Sequence, residues 1–246
     1  MHPATSVQKN LGLTGWSGHG NINKLYTLGA NTQSILKLRA QVYNLAHALT
    51  GSFPSQSMLS RIASSPALVV LAEDVEPVSM ILEGAEACLH DVATAKAAEE
   101  DYNNLYMASQ SLTAPLWESV YRDPEHSFFG DATWQVREWY GQYNLAFSNK
   151  DKEPDDHITV ELEFMHYLIS ASIEALARPE KTDYARLCAD QIAFLQEHLL
   201  QWAPQSFSMQ LPHAKTALYV GTARLIVDYL PYDLSLLISL QNEVVQ

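Results

Sequence analysis

Between Ile158 and Leu176 the apolar residues Ile158, Leu162, Met165, Ile169, Ile173 and Leu176 are spaced by four, three, four, four and three positions, and Glu163, His166, Ser170 and Glu174 occupy the other side. This spacing keeps one stripe of an α-helix apolar and does not fit the two-residue alternation of a half-buried strand. The same periodicity returns at Ile35, Leu38, Val42, Leu45 and Leu49, with Asn31 or Thr32 as a cap and Gly51 as a stop. Further helices are predicted over 55–63, from Pro77 through Leu89, and over 95–107, 132–143, 183–201 and 213–230. Ser64-Ser65-Pro66 breaks the first of these, and the apolar run 67–71 reads equally as a short strand or a helix start. No repeat of fixed period and no strand alternation occurs, so the predicted fold class is all-α: a single-domain helical bundle of about eight or nine helices over 31–246.

Composition narrows the function classes. With 47% hydrophobic residues the chain can bury a full core. Its 15 basic and 28 acidic residues give a net charge of −13, and no run of Lys or Arg could neutralise a row of phosphates. Nucleic acid is therefore a disfavoured partner, and a basic peptide or cationic ligand a favoured one. Cys88 and Cys188 have no CxxC or Cys/His neighbourhood and are read as buried free thiols. No basic segment followed by an apolar one opens the sequence, and no apolar run approaches the length of a membrane span. A soluble, cytoplasmic protein without membrane insertion is expected. Residues 1–30, rich in Gly, Asn, Ser and Thr, are read as a flexible or loosely docked extension.

Two regions depart from the helical pattern. Residues 108–133 carry the breakers Pro115, Pro124 and Gly130 among the aromatics Trp117, Tyr121, Phe128 and Phe129. Residues 153–166, EPDDHITVELEFMH, pack five carboxylates and two histidines into fourteen positions. Glu163-x-x-His166 has the spacing of carboxylate-bridged di-iron bundles, but no second such pair exists in the chain. A metal-dependent hydrolase using Glu163, His166 and His157 is one alternative, although no nucleophile elbow, zinc-hydrolase motif or phosphate loop accompanies it. Pro154, Asp155 and Asp156 suit a helix start, where carboxylates complement free N–H groups and the positive end of the dipole. His157 does not, since a histidine in a first turn gains nothing from that dipole; its oddness points to a contact surface.

Three segments then carry a resemblance. Pro115–Tyr121 (PLWESVY), Glu153–His157 (EPDDH) leading into ELEFM, and Phe194–Pro204 (FLQEHLLQWAP) followed by Tyr219 resemble the TorD/DmsD/NarJ family in order and spacing. Asp101–Tyr106 (DYNNLY) stands where that family carries a similar segment, and the resemblance spans roughly 32–230. Asn104 and Tyr106 depart from the Arg and Phe of many members, which bears on the client and subgroup.

The resemblance implies an all-helical cytoplasmic chaperone. Such a protein binds the twin-arginine leader of a molybdenum-cofactor oxidoreductase, and often its body, and delays export until the cofactor is inserted. It implies leader recognition by Trp117, Ser119, Tyr121, Asp156 and His157, with Glu118, Glu153 and Asp155 as further candidates for pairing with arginine. Carboxylates for the guanidinium groups and an aromatic-lined groove for the apolar part are what such a leader requires. Packing of Trp117 and Tyr121 onto the bundle, and a solvated Glu118, are the bland alternatives. Nucleotide binding, linked to some members, has no motif here, so no cofactor and no metal is expected. A generic helical interaction module is the remaining alternative. The links 144–153 and 203–212 would permit helix exchange, so a monomer or a domain-swapped dimer are both expected states.

Overall fold

In the computed structural model the described residues are 31–107, 114–122, 129–148 and 153–244. The extension expected over 1–30 lies outside them. Eleven α-helices and two π turns are found among the described residues, and no strand beyond one isolated bridge.

The chain opens with α1 (Thr32–Gly51), where Asn31 accepts the Ser34 N–H as N-cap. Serines do the same for α2 (Gln56–Ala63) and α3 (Pro66–Ala72): Ser55 accepts from Met58, and Ser65 from Leu68. The run at 67–71 is thus helix, decided by that cap and by proline in the first turn. Next come α4 (Glu76–His90) and α5 (Val92–Tyr102), the latter continuing into a wide π turn over Asn103–Met107. A short α6 (Glu118–Arg122) lies inside the region expected to be irregular. It is followed by α7 (Asp131–Gln142) and α8 (Ile158–Leu176).

Two boundaries differ from expectation. α9 (Thr182–Phe194) does not stop near 201; it passes through a π turn at Leu195–Leu199 into α10 (Leu200–Gln210), with Pro204 inside the helix. Proline there removes one backbone hydrogen bond, but Trp202, Ala203, Ser206 and Phe207 are all fully buried and hold the helix to the core. The link expected over 203–212 is therefore helix as far as Gln210; the other link, 144–153, lies partly outside the described residues. The last helix, α11 (Ala217–Val244), likewise runs past 230 through Pro231.

α11 forms the axis of the bundle, touching α1, α4, α5, α9 and α10, while α1 lies along α8. The α4–α11 crossing depends on absent side chains. A Cβ on Gly84 would come within 2.5 Å of the Leu218 nitrogen, and one on Gly221 within 2.9 Å of the Pro77 oxygen. A buried polar knot ties three helices together. Arg39 of α1 pairs with Asp233 of α11 at 2.6 and 2.8 Å, Tyr43 donates to the same carboxylate at 2.8 Å, and Arg39 reaches Gln191 of α9 at 2.8 Å. No described helix is long and apolar enough to cross a membrane.

Candidate functional site

The segment 114–122, called the strap below, brings the aromatic motif to the acidic one. Trp117 and His157 form an isolated antiparallel bridge: Glu118 N–H donates to the Asp156 carbonyl at 3.0 Å, and Ile158 N–H to the Leu116 carbonyl at 2.9 Å. The two rings meet edge to face, 4.9 Å between centroids. Asp156 reinforces the bridge from beneath. Its Oδ2 accepts the Ser119 N–H at 2.6 Å, and its Oδ1 accepts the Thr133 hydroxyl of α7 at 2.7 Å. Tyr121 donates to the Pro115 carbonyl at 2.9 Å, which also accepts from Ser206, and its ring stacks on Trp202 at 5.6 Å.

The acidic residues serve other ends than the helix start expected of them. α8 begins at Ile158 with His157 as its N-cap, so Asp155 and Asp156 lie before the cap. Asp156 caps α6 instead, and Asp155 takes Arg137 of α7 while its carbonyl accepts Tyr140 Oη at 3.2 Å. His157, the residue a helix start left unexplained, does gain from its position. Its Nδ1 accepts the Thr159 hydroxyl at 2.7 Å and the Thr159 N–H at 3.3 Å, roles open only to the neutral ring. Burial pushes its pKa down from 6.5 to about 4, against the raising effect of Asp156, with His47 adding to the depression.

Glu118 is fully buried rather than solvated. It accepts from His198 Nδ1 at 2.9 Å and pairs with Arg122. Glu161, one turn into α8, is also fully buried and accepts Trp202 Nε1 at 3.3 Å. Burial, followed by the charges of Glu118 and Asp156, raises its pKa well above the carboxylate range. Burial raises the Tyr140 pKa well above the ordinary 10, and the charges of Glu161, Glu118, Asp156 and Asp155 add to the rise.

The expected residues therefore divide by exposure. Glu118, Ser119, Asp155 and Asp156 are buried, Trp117, Tyr121 and His157 are half-buried, and Glu153 is exposed. Glu161, Trp202, His198, Arg122, Arg137, Thr133 and Tyr140 complete the site without having been singled out. Glu161 was legible, since it falls three positions after Ile158 and four before Met165, on the apolar stripe. Glu163 is exposed and His166 half-buried, on the outer side of α8 as the periodicity placed them. Among the described residues no group of three or more His, Cys, Asp or Glu side chains is arranged to hold a metal ion.

A family model described as nitrate reductase delta subunit matches residues 72–208, more than half of the 246-residue chain. The chain belongs to this family. The resemblance to TorD, DmsD and NarJ proteins is thereby borne out.

Among its relatives is the chaperone protein TorD of Aliivibrio fischeri, 26% identical over 187 residues, covering 76% of this chain and 83% of that one. The TorD of a Psychrobacter species is 25% identical over 203 residues, 79% and 89% of the two chains. A probable Tat proofreading chaperone DmsD of Haemophilus influenzae is 33% identical over 104 residues, 42% and 44%. The family match covers the strap, the acidic motif and the Phe194–Pro204 motif in a single span. These relatives are named as chaperones, which does not favour the metal-dependent hydrolase.

Proposed function

We propose that this chain is a cytoplasmic chaperone that binds the twin-arginine signal peptide, and in part the body, of a molybdenum-cofactor oxidoreductase precursor and delays its export until the cofactor is inserted. The observation that carries this reading is convergence. Pro115–Tyr121, Glu153–His157 and Phe194–Pro204 are far apart in sequence, yet the Trp117–His157 bridge, the Glu118–His198 contact and the Tyr121–Trp202 stack draw them into one place. Half-buried Trp117, Tyr121 and His157 offer an aromatic margin for the apolar part of a leader, and the acidic groups beside it suit guanidinium. The names of the relatives, chaperone protein TorD and Tat proofreading chaperone DmsD, agree with it.

Isothermal titration of the full chain with a synthetic twin-arginine leader tests the reading. Binding that weakens with salt is expected, because part of the attraction is between the net charge of −13 and the basic peptide. Absence of binding to several such leaders, together with failure to retain a co-expressed molybdoenzyme precursor in a pull-down, would remove it.

A further inference from the structure

Two of the carboxylates suited to arginine already hold arginine. Arg122, at the end of α6, pairs with Glu118 and also donates to the Glu197 carbonyl at 2.8 Å. Arg137 of α7 directs both Nε, at 3.2 Å, and Nη2 to Asp155 Oδ2. In each pair the acid is sealed and the base is at the rim: side-chain exposure is 0% for Glu118 and 1% for Asp155, against 30% for Arg122 and 26% for Arg137. The guanidinium of Arg137 also lies 4.5 Å from the centre of the Trp134 ring, and Trp134 is 54% exposed. α6, which carries Glu118 and Arg122, and α7, which carries Arg137, are in contact.

Two buried groups around these pairs lack a partner, Asp155 Oδ1 and the Ser119 hydroxyl. Arg137 thus grips one oxygen of Asp155 and leaves the other unused. An approaching guanidinium aligned along the carboxylate could take both, the stronger two-bond geometry.

We propose that Arg122 and Arg137 are internal occupants of two guanidinium seats, and that a twin-arginine leader binds by replacing them, one peptide arginine on Glu118 and the other on Asp155 with Trp134 as its stacking face. This rests on the function proposed above and adds the seats, their occupants and the exchange. The physical case is that a buried carboxylate stripped of its cation is strongly disfavoured, so such a site cannot stand open. Exchange of arginine for arginine keeps the number of buried pairs constant, and the outgoing side chains already reach solvent. Lysine, a compact point charge without the planar fork, cannot match the two-nitrogen contact or the stacking, so the seats select a pair of arginines over a pair of lysines.

The internal arginines also lower the apparent affinity, because only the fraction of molecules with seats vacated is competent to bind. Arg137→Gln and Arg122→Gln are each expected to tighten binding of a two-arginine leader on the order of tenfold in isothermal titration. Arg178→Gln, which removes an equal charge from an exposed pair with Asp183, controls for long-range attraction and should change affinity little. A Gln variant that binds the leader no more tightly than Arg178→Gln overturns the proposal. Should the Gln variants unfold, the wild-type chain supplies the test: arginine modification by phenylglyoxal, mapped by mass spectrometry, should rise at Arg122 and Arg137 when the leader is bound. Unchanged or reduced modification with the leader bound overturns the exchange and leaves the proposed function standing, whereas failure of the wild-type chain to bind any leader removes both.

Discussion

Asp156 Oδ2 accepts the backbone N–H of Ser119 at 2.6 Å across 37 positions of sequence, so one buried carboxylate fixes the strap to the start of α8. Its other oxygen holds Thr133 and its carbonyl holds Glu118, which makes Asp156 the joint of the strap, α7 and α8. Asp156 is fully buried in this conformation. Under the function proposed above, its part would be to position the strap.

Asp156→Ala is expected to destabilise the fold by about 3 kcal/mol, because buried donors lose a charged acceptor. Asp156→Asn keeps one acceptor oxygen and should cost less. Amide hydrogen exchange distinguishes a local joint from a general core role: Glu118 and Ser119 should exchange faster in Asp156→Asn while α11 keeps its protection. Uniform loss of protection would count against the joint.

Glu161→Gln should stabilise the protein, and more so as pH rises. Burial and the neighbouring acids hold the folded-state pKa of Glu161 well above its unfolded value. A raised pKa contributes stability that is fully present below the unfolded value and is lost as pH rises toward the folded one. Glutamine carries the neutral form at every pH and can still accept from Trp202. Denaturation of wild type and variant at pH 5 and pH 8 should therefore show a gap that widens at pH 8.

The sign is opposite at His157. Its folded pKa of about 4 lies below the ordinary 6.5, so its contribution is present above 6.5 and is lost as pH falls through 4. His157→Asn retains a helix cap without a titrating ring. Between pH 7 and pH 4 the wild type should lose on the order of 2 kcal/mol more than this variant, measured by urea denaturation. Parallel profiles would show that the ring is not held neutral.

In the buried knot of α1, α9 and α11, Asp233→Ala should cost about 3–5 kcal/mol, since it leaves the Arg39 guanidinium buried without its counter-charge. Arg39 is 1% exposed, so water cannot take the place of the carboxylate. The double variant Arg39→Met with Asp233→Leu should recover much of the loss in thermal unfolding, because it removes both charges and fills the space.

How much of this was written in the sequence depends on the range of the interaction. The helices α1 and α8 were legible because apolar periodicity and capping side chains act within four residues. The α9–α10 continuation was not: Pro204 is a local signal to stop, and only the burial of Trp202 and Phe207 against other helices outweighs it. Trp117, Glu118, Ser119, Tyr121, Asp155, Asp156 and His157 were named from the motifs and the structure gathers them, whereas Arg122, Arg137, Glu161 and His198 joined them only through tertiary contacts. Which of them turn inward was a tertiary matter. A Pro-Asp-Asp-His run looks like a helix start whatever lies nearby. Whether Asp155 caps α8 or pairs with Arg137, and whether Glu118 meets water or His198, depends on segments 18 and 80 positions distant that approach only when the bundle closes. Sequence alone determined the all-helical class, the long amphipathic helices and the family resemblance, through local periodicity and motif; the folded chain decided that Glu118 and Asp155 already hold arginine, because charges removed from water must find partners inside.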